Sequence, residues 1–277
     1  MFSQSLLKKL ELAYPRKFLK ILPPQLRVSV FYRLFFKNAS SRTNLFRRAP
    51  LSFLPTIKMD LCPSDQSHQQ IAYTGLFEFH LSKIFMELAY SGGLLVDVGA
   101  NYGYYSLLWA GASKSNKVLS FEAVRDNSQA LSHNVSANHF ENQIQVQNKA
   151  LGKSSGQMKF NAMDNEQTTW GGLTHCEDSG FEVTVHRLDE LLDNEKTIEV
   201  LKIDVEGADT WVLYGAQRLL ETKRIRNIFF EENTERQQQL GIKPDDAKGF
   251  LSELGYCVEN LNQNSSGVSE FHARPKN

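Results

Sequence analysis

The sequence predicts an α/β fold with a mostly parallel sheet and helices on both faces. Three observations carry this. Apolar runs that end on an acid recur at Leu94–Asp97, Lys117–Glu122 and Glu199–Asp204. Each is followed by a stretch with helical spacing, and strands that alternate with helices build parallel sheets. The first run opens into a turn bracketed by Gly99 and Gly103, the form taken by a strand that feeds a ligand-binding loop at the carboxyl end of such a sheet.

The elements follow in chain order. Residues 1–48 read as amphipathic helical pieces, with Leu6, Leu7 and Leu10 sharing a face before Pro15. Leu26, Val30, Leu34 and Phe35 repeat at helical spacing after Pro23-Pro24. Residues 49–75, with Pro50, Pro55, Pro63 and a polar run Ser64–Gln70, read as a linker with one strand at most. A helix over Leu76–Tyr90 leads into the first core strand. Helices are expected at Tyr104–Ala112, Arg125–Asn138, Asp209–Leu220 and Asp245–Leu254. Further strands are expected at Gln143–Asn148, Gln157–Ala162, Phe181–His186 and Arg226–Glu232. Asp164–Gly180 is polar and glycine-bearing and reads as a mobile loop. Tyr256–Leu261 and Val268–His272 close the chain as an antiparallel hairpin on a sheet edge. The expected division is an arm and linker over 1–75 and a catalytic domain over 76–277.

Composition narrows the function classes. The chain has 277 residues, 41% hydrophobic and 11% aromatic, enough for a well-filled core. Cys62, Cys176 and Cys257 are scattered, which argues against a disulfide framework or zinc ribbon and for a reducing, cytoplasmic setting. No secretory h-region and no bilayer-spanning run is expected, so the sequons at Asn38, Asn134 and Asn264 carry no weight. The charge is unevenly spread. Residues 1–48 hold eleven basic side chains against Glu11 alone, so the remainder is acidic by the same margin. Two readings of this basic arm stand open: peripheral contact with the inner face of a membrane, or packing on the catalytic body. Nucleic acid is disfavoured, because no binding motif accompanies the charge.

The glycine turn excludes two look-alikes. No Lys-Ser or Lys-Thr follows Gly103, so it is not a phosphate-binding Walker loop. The spacing Gly99-x-x-x-Gly103 lacks the third glycine of a nicotinamide loop. Asp97 stands two residues before Gly99. Glu122 ends the second strand 19 residues after Gly103, where a carboxylate can accept both hydroxyls of a ribose.

Several segments together resemble one family. They are VDVGANYG at 96–103, SFEA at 120–123, NKALG at 148–152, RLDELL at 187–192 and LKIDVEGADTWVLYGA at 201–216, with the strand end at Glu231. In this order, over roughly residues 76–235, they are similar to the FkbM branch of class I S-adenosylmethionine-dependent methyltransferases. Ala123 and Val124 stand where the family usually carries a proline. The resemblance implies a Rossmann-like seven-stranded sheet. It also implies methyl transfer from S-adenosylmethionine, most often to a hydroxyl oxygen of a sugar, glycolipid or polyketide-like acceptor. Nitrogen or carbon methylation on the same fold is the nearest alternative. A dehydrogenase and a non-catalytic membrane-docking module are the rivals from other classes.

On that reading Asp97, Gly99, Asn101 and Gly103 line the methionine and ribose end of the donor, Glu122 holds the ribose, and Asn148 meets the adenine edge. Asn101 has a second role open to it as a helix cap, and Asn148 as an Asx turn. Lys202, Asp204 and Glu206 alternate at a strand end and share one side if the extension persists. Asp204 is the first candidate for the base that deprotonates the acceptor, with Lys202 beside it and His175 as another candidate. A further reading gathers Asp204, Glu206 and Glu231 around a hard cation such as Mg²⁺. Trp170 and Tyr102 are candidates to stack on a sugar face. His186 is expected to be structural.

Overall fold

The computed structural model describes residues 14–161, 172–174, 180–192, 197–261 and 268–276. The chain divides into two compact units, Met1–Leu88 and Ala89–Asn277.

The first unit is helical. Helix α1 (Pro15–Ile21) and helix α2 (Pro24–Leu34) each begin on a proline, which suits a first-turn position with no N–H to satisfy. Short 3₁₀ turns follow at Phe36–Ser41 and Thr43–Leu45, then a small ladder of β1 (Ala49–Pro50) with β2 (Lys58–Met59). Residues 66–74, expected as linker, form helix α3 (Gln66–Thr74), and from His68 onward they are buried. Its polar side chains are satisfied locally, which explains the burial. Asp65 caps the His68 N–H at 2.9 Å, Gln69 donates to the Pro63 carbonyl, and Gln70 donates to the Leu76 carbonyl. Gly75 ends the helix at φ +71°, where a Cβ would meet Ser52 and the Pro50 carbonyl within 2.8 Å. Helix α4 (Phe79–Ser91) leads onward.

The second unit holds the expected sheet. Its strands are β3 (Leu94–Val98), β4 (Lys117–Phe121), β5 (Ile144–Gln147), β10 (Ile198–Ile203), β11 (Ile225–Asn233), β12 (Tyr256–Asn260) and β13 (Val268–Pro275). They lie in the order β12-β13-β11-β10-β3-β4-β5. Neighbours from β11 to β5 are parallel, whereas β13 runs antiparallel to both β11 and β12. The inner strands read as continuous apolar runs because both faces are covered. Helices α5 (Tyr104–Ala112), α6 (Arg125–Ala137), α7 (Leu188–Leu191), α8 (Asp209–Gly215), α9 (Gln217–Glu221), α10 (Thr234–Gln239) and α11 (Asp246–Glu253) complete the unit. The helix expected over 209–220 is two helices, broken at Ala216. Among the described residues no helix is long and apolar enough to cross a membrane.

A second sheet was not expected. β6 (Ala150–Leu151), β7 (Gly156–Asn161), β8 (Gly172–Thr174) and β9 (Phe181–His186) pair in the order β6-β9-β7-β8. The two exposed-looking strands of the sequence therefore pair with each other, antiparallel, over Gly156–Phe160. Gly172–Thr174, expected within a mobile loop, pairs with β7. The rest of that loop but Gly180, including Trp170 and His175, lies outside the described residues.

Motif pieces outside the glycine turn meet at one joint. A Cβ on Gly215 would stand 2.2 Å from the Gly152 carbonyl, so the ends of NKALG and of the 201–216 segment touch through bare backbone. Asp189 of RLDELL accepts the Arg218 and Leu219 N–H groups at 3.0 and 3.1 Å, which holds the start of α9. These motifs build the fold.

Candidate active site

The chain crosses from one half of the sheet to the other between β3 and β10, and open parallel sheets bind ligands above the carboxyl ends at such a switch. Lys202 stands opposite Asp97, and Ile203 opposite Val98. The Asp204 N–H then donates to the Val98 carbonyl at 3.0 Å, which draws the β10 end onto the glycine turn.

The glycines serve that closure. Gly99 has φ +78°, and a Cβ there would lie 1.9 Å from the Asp204 carbonyl oxygen. Gly103 has φ +92°, and its Cβ would strike Leu131 at 2.2 Å. Gly99 is needed for the close approach of backbone to backbone, and Gly103 chiefly for its positive φ. The loop N–H groups are also engaged internally. Those of Gly99 and Ala100 donate to the Phe121 carbonyl, and that of Gly103 to the Ala100 carbonyl. The Asn101 N–H donates to Glu122 Oε2 at 2.8 Å, and the Tyr102 N–H to Asn101 Oδ1 at 2.6 Å. A pyrophosphate would need such N–H groups to face outward. A donor without phosphate does not. Asn101, at φ +48°, thus closes its own turn, while Gly103 takes the cap position of α5 with no side-chain bond.

Glu122 is buried at the end of β4. Its second oxygen accepts the Val124 N–H at 2.9 Å. Burial pushes its carboxyl up to about 7, against the pull of the Val124 and Asn101 N–H groups. Asn148 donates to the Glu122 and Ala123 carbonyls at 2.8 and 3.0 Å, so it ties down the strand end beside Glu122. Asp97 is buried and accepts the Ser106 hydroxyl at 2.6 Å; burial raises its carboxyl, and Lys202 opposes the rise.

Across β3 the surroundings are more open. The Asp204 side chain is 33% exposed, and its Oδ2 receives Lys202 Nζ at 2.8 Å. That ammonium is 5% exposed and lies 4.7 Å from the centre of the Tyr105 ring. Sequence reasoning missed Tyr105, whose only signal was its place as the second residue of the helix after Gly103. It also missed Asp209, fully buried at the start of α8. Asp209 accepts the Glu231 N–H at 3.0 Å and the Val205 N–H at 3.4 Å, so it joins the ends of β10 and β11. Burial pushes its carboxyl up to about 7.

The expected cation site is corrected. Among the described residues no three acids, histidines or cysteines gather as metal ligands. The alternation assumed for Lys202, Asp204 and Glu206 ends with β10 at Ile203. Glu206 then falls in a turn at φ +53°, while Asp204 turns to Lys202. Glu231 is held from Asp209 through its backbone. His186 is the last residue of β9, opposite Leu151, a structural position.

S-adenosylmethionine fits this donor set. It brings a sulfonium, an ammonium, a carboxylate and a ribose diol but no phosphate, so it calls for carboxylate partners and not for a pyrophosphate cradle. Asp97 and Glu122 are buried carboxylates near the ends of β3 and β4, and the loop amides are closed.

Comparison with known proteins agrees. The Methyltransferase FkbM domain family matches residues 97–258, more than half of the chain. No curated protein matches the sequence. Among solved structures, a precorrin-6y C5,15-methyltransferase from Geobacter metallireducens is similar at 11% identity and TM-score 0.45, covering 73% of this chain and 90% of its own. An O-methyltransferase from Bacillus cereus in complex with SAH is similar at 13% identity and TM-score 0.44, covering 73% and 83%. A SAM-dependent O-methyltransferase from Thermotoga maritima is similar at 12% and 0.45, covering 72% and 66%. At these scores the likenesses carry no weight beside the family match and the sheet order. The chain belongs to the FkbM methyltransferase domain family and is an S-adenosylmethionine-dependent methyltransferase.

Proposed function

We propose that this enzyme methylates a hydroxyl oxygen of a sugar, glycolipid or polyketide-like small molecule. The observation that supports this best is Asp204, a partly exposed carboxylate at the switch point with a buried lysine 2.8 Å away. A hydroxyl is a poor nucleophile until its proton is taken up, and a carboxylate in reach of it is the simplest acceptor for that proton. A neutral amine already offers a free lone pair and needs less help.

S-adenosylmethionine supplies a methyl group already activated on a sulfonium. The chain's own task is therefore alignment and proton removal. Asp97 and the Gly99–Gly103 turn hold the amino-acid end and ribose, with Asn101 fixing the turn. Glu122 accepts from the ribose hydroxyls, and Asn148 keeps the neighbouring strand end in place at the adenine edge. Asp204 accepts the acceptor's proton at Oδ2 or Oδ1. Lys202, 2.8 Å away, holds that carboxylate in place.

The test is labelled-methyl transfer to a panel of free sugars, glycolipids and polyketide-like alcohols, with the product methyl located by mass spectrometry. An ether methyl is expected. A methyl on nitrogen or carbon would overturn the reading. Asp204→Asn is expected to lower turnover on the order of 10²–10⁴-fold, the usual share of a positioned base.

A further inference from the structure

The first unit presents a surface that methyl transfer does not explain. Tyr14, Ile21, Leu26, Tyr32 and Leu34 are 53%, 76%, 52%, 46% and 48% exposed. Among the described residues only Tyr90 and Phe181 are comparable, so the exposed large apolar side chains concentrate on α1 and α2. Exposed apolar side chains scattered singly need no explanation, but a cluster does. On α2, Leu26, Val30, Arg33 and Leu34 fall on one face, while Phe31 is buried on the other, its ring 5.2 Å from Tyr73.

Charge accompanies the cluster. Residues 14–48 hold nine basic side chains and no acid. Two are turned inward: Arg16 donates to the Ala72 and Leu45 carbonyls, and Arg27 to the Leu22 carbonyl and Ser52 Oγ. Lys17, Lys20, Arg33 and Lys37 are exposed among the apolar side chains.

We propose that this face docks on an anionic lipid surface. Ile21, Leu26 and Leu34 enter the interface, while Lys17, Lys20, Arg33 and Lys37 meet headgroup phosphates. A single sign of charge across the run matches a partner of uniform opposite charge. Bare aliphatic side chains between the cations find an apolar layer beneath lipid headgroups and none on a nucleic-acid backbone. The docking is a property of the first unit and does not rest on the acceptor or on Asp204.

Flotation of the full chain with vesicles tests it. Binding is expected to vesicles of phosphatidylcholine with phosphatidylglycerol, to be weak with phosphatidylcholine alone, and to fall with added salt. Replacing Lys17, Lys20, Arg33 and Lys37 by Gln is expected to lower partition by about fivefold per charge. Leu26→Ser with Leu34→Ser, both exposed, is expected to lower it as well. Both variants should keep a cooperative melt and their heat of S-adenosylhomocysteine binding, so that misfolding is told apart from lost docking. Failure of the full chain to float with anionic vesicles would overturn the proposal. So would equal flotation by the four-charge variant, or retention on duplex DNA without vesicle binding.

Discussion

Glu122 and Asp204 end the two strands that flank β3, and they end them in opposite states. On the β4 side the carboxylate is buried, bonded by the Asn101 and Val124 N–H groups, and raised to about 7. On the β10 side the carboxylate is one-third exposed and paired with a lysine. One side is closed before any ligand arrives, and the other still faces outward. A preformed wall suits a ligand held in one fixed pose, whereas an open edge leaves room for a second reactant to approach. On the proposed function, donor recognition falls to the β4 side and chemistry on the acceptor to the β10 side.

Gly99→Ala breaks the comparison most severely, because Gly99 is where the two sides touch. Its Cβ would lie 1.9 Å from the Asp204 carbonyl at a positive φ. Strain and overpacking together are expected to cost on the order of 3–5 kcal/mol in denaturant unfolding, with donor binding and turnover lost together.

Glu122→Gln sharpens it. Gln keeps the shape but offers one acceptor oxygen and no charge, so S-adenosylhomocysteine affinity by calorimetry is expected to fall about ten- to a hundredfold. The pH dependence has a definite sign. The folded value of Glu122 is about 7 against an ordinary 4.5, and that of Asp209 about 7 against 3.8. Folding thus favours the protonated forms. Their contribution to stability is fully present below the ordinary values and is lost as pH rises through about 7. Melting temperature is expected to decline over that window, and Glu122→Gln to flatten part of the decline. An unchanged slope would refute the assignment.

Asp209→Asn comes next. Each carboxylate oxygen accepts a backbone N–H, and an amide cannot replace both. A loss of about 1–3 kcal/mol in unfolding free energy is expected, with turnover falling more than donor affinity because the β10 and β11 ends loosen. Gly103→Ala is the mildest. The obstacle there is the Leu131 side chain, which can turn aside, so about 1–2 kcal/mol is expected from the positive φ.

How far the sequence could be read follows the same divide. The β3, β4 and β10 strands and the acids at their ends were legible, because buried parallel strands announce themselves as apolar runs ending on acids. Helix α3 was not, because its polar side chains are buried through caps and local carbonyls that no periodicity records. The β6–β9 sheet was hidden because short strands with exposed faces look like edges whether or not they pair. The Asp204–Glu206–Glu231 cluster failed because alternation was carried past Ile203, where the strand stops. Asp209 escaped notice because a helix-start acid in sequence gives no sign that it bonds the next strand.

The most direct measurement is calorimetric titration of S-adenosylhomocysteine into Asp204→Asn and Glu122→Gln side by side with the unaltered protein. If the two sides of β3 divide the work, Asp204→Asn binds within about twofold of the unaltered protein, a change well under 1 kcal/mol, while Glu122→Gln loses at least tenfold. Equal losses in the two variants, or no heat from the unaltered protein at millimolar ligand, would contradict the account.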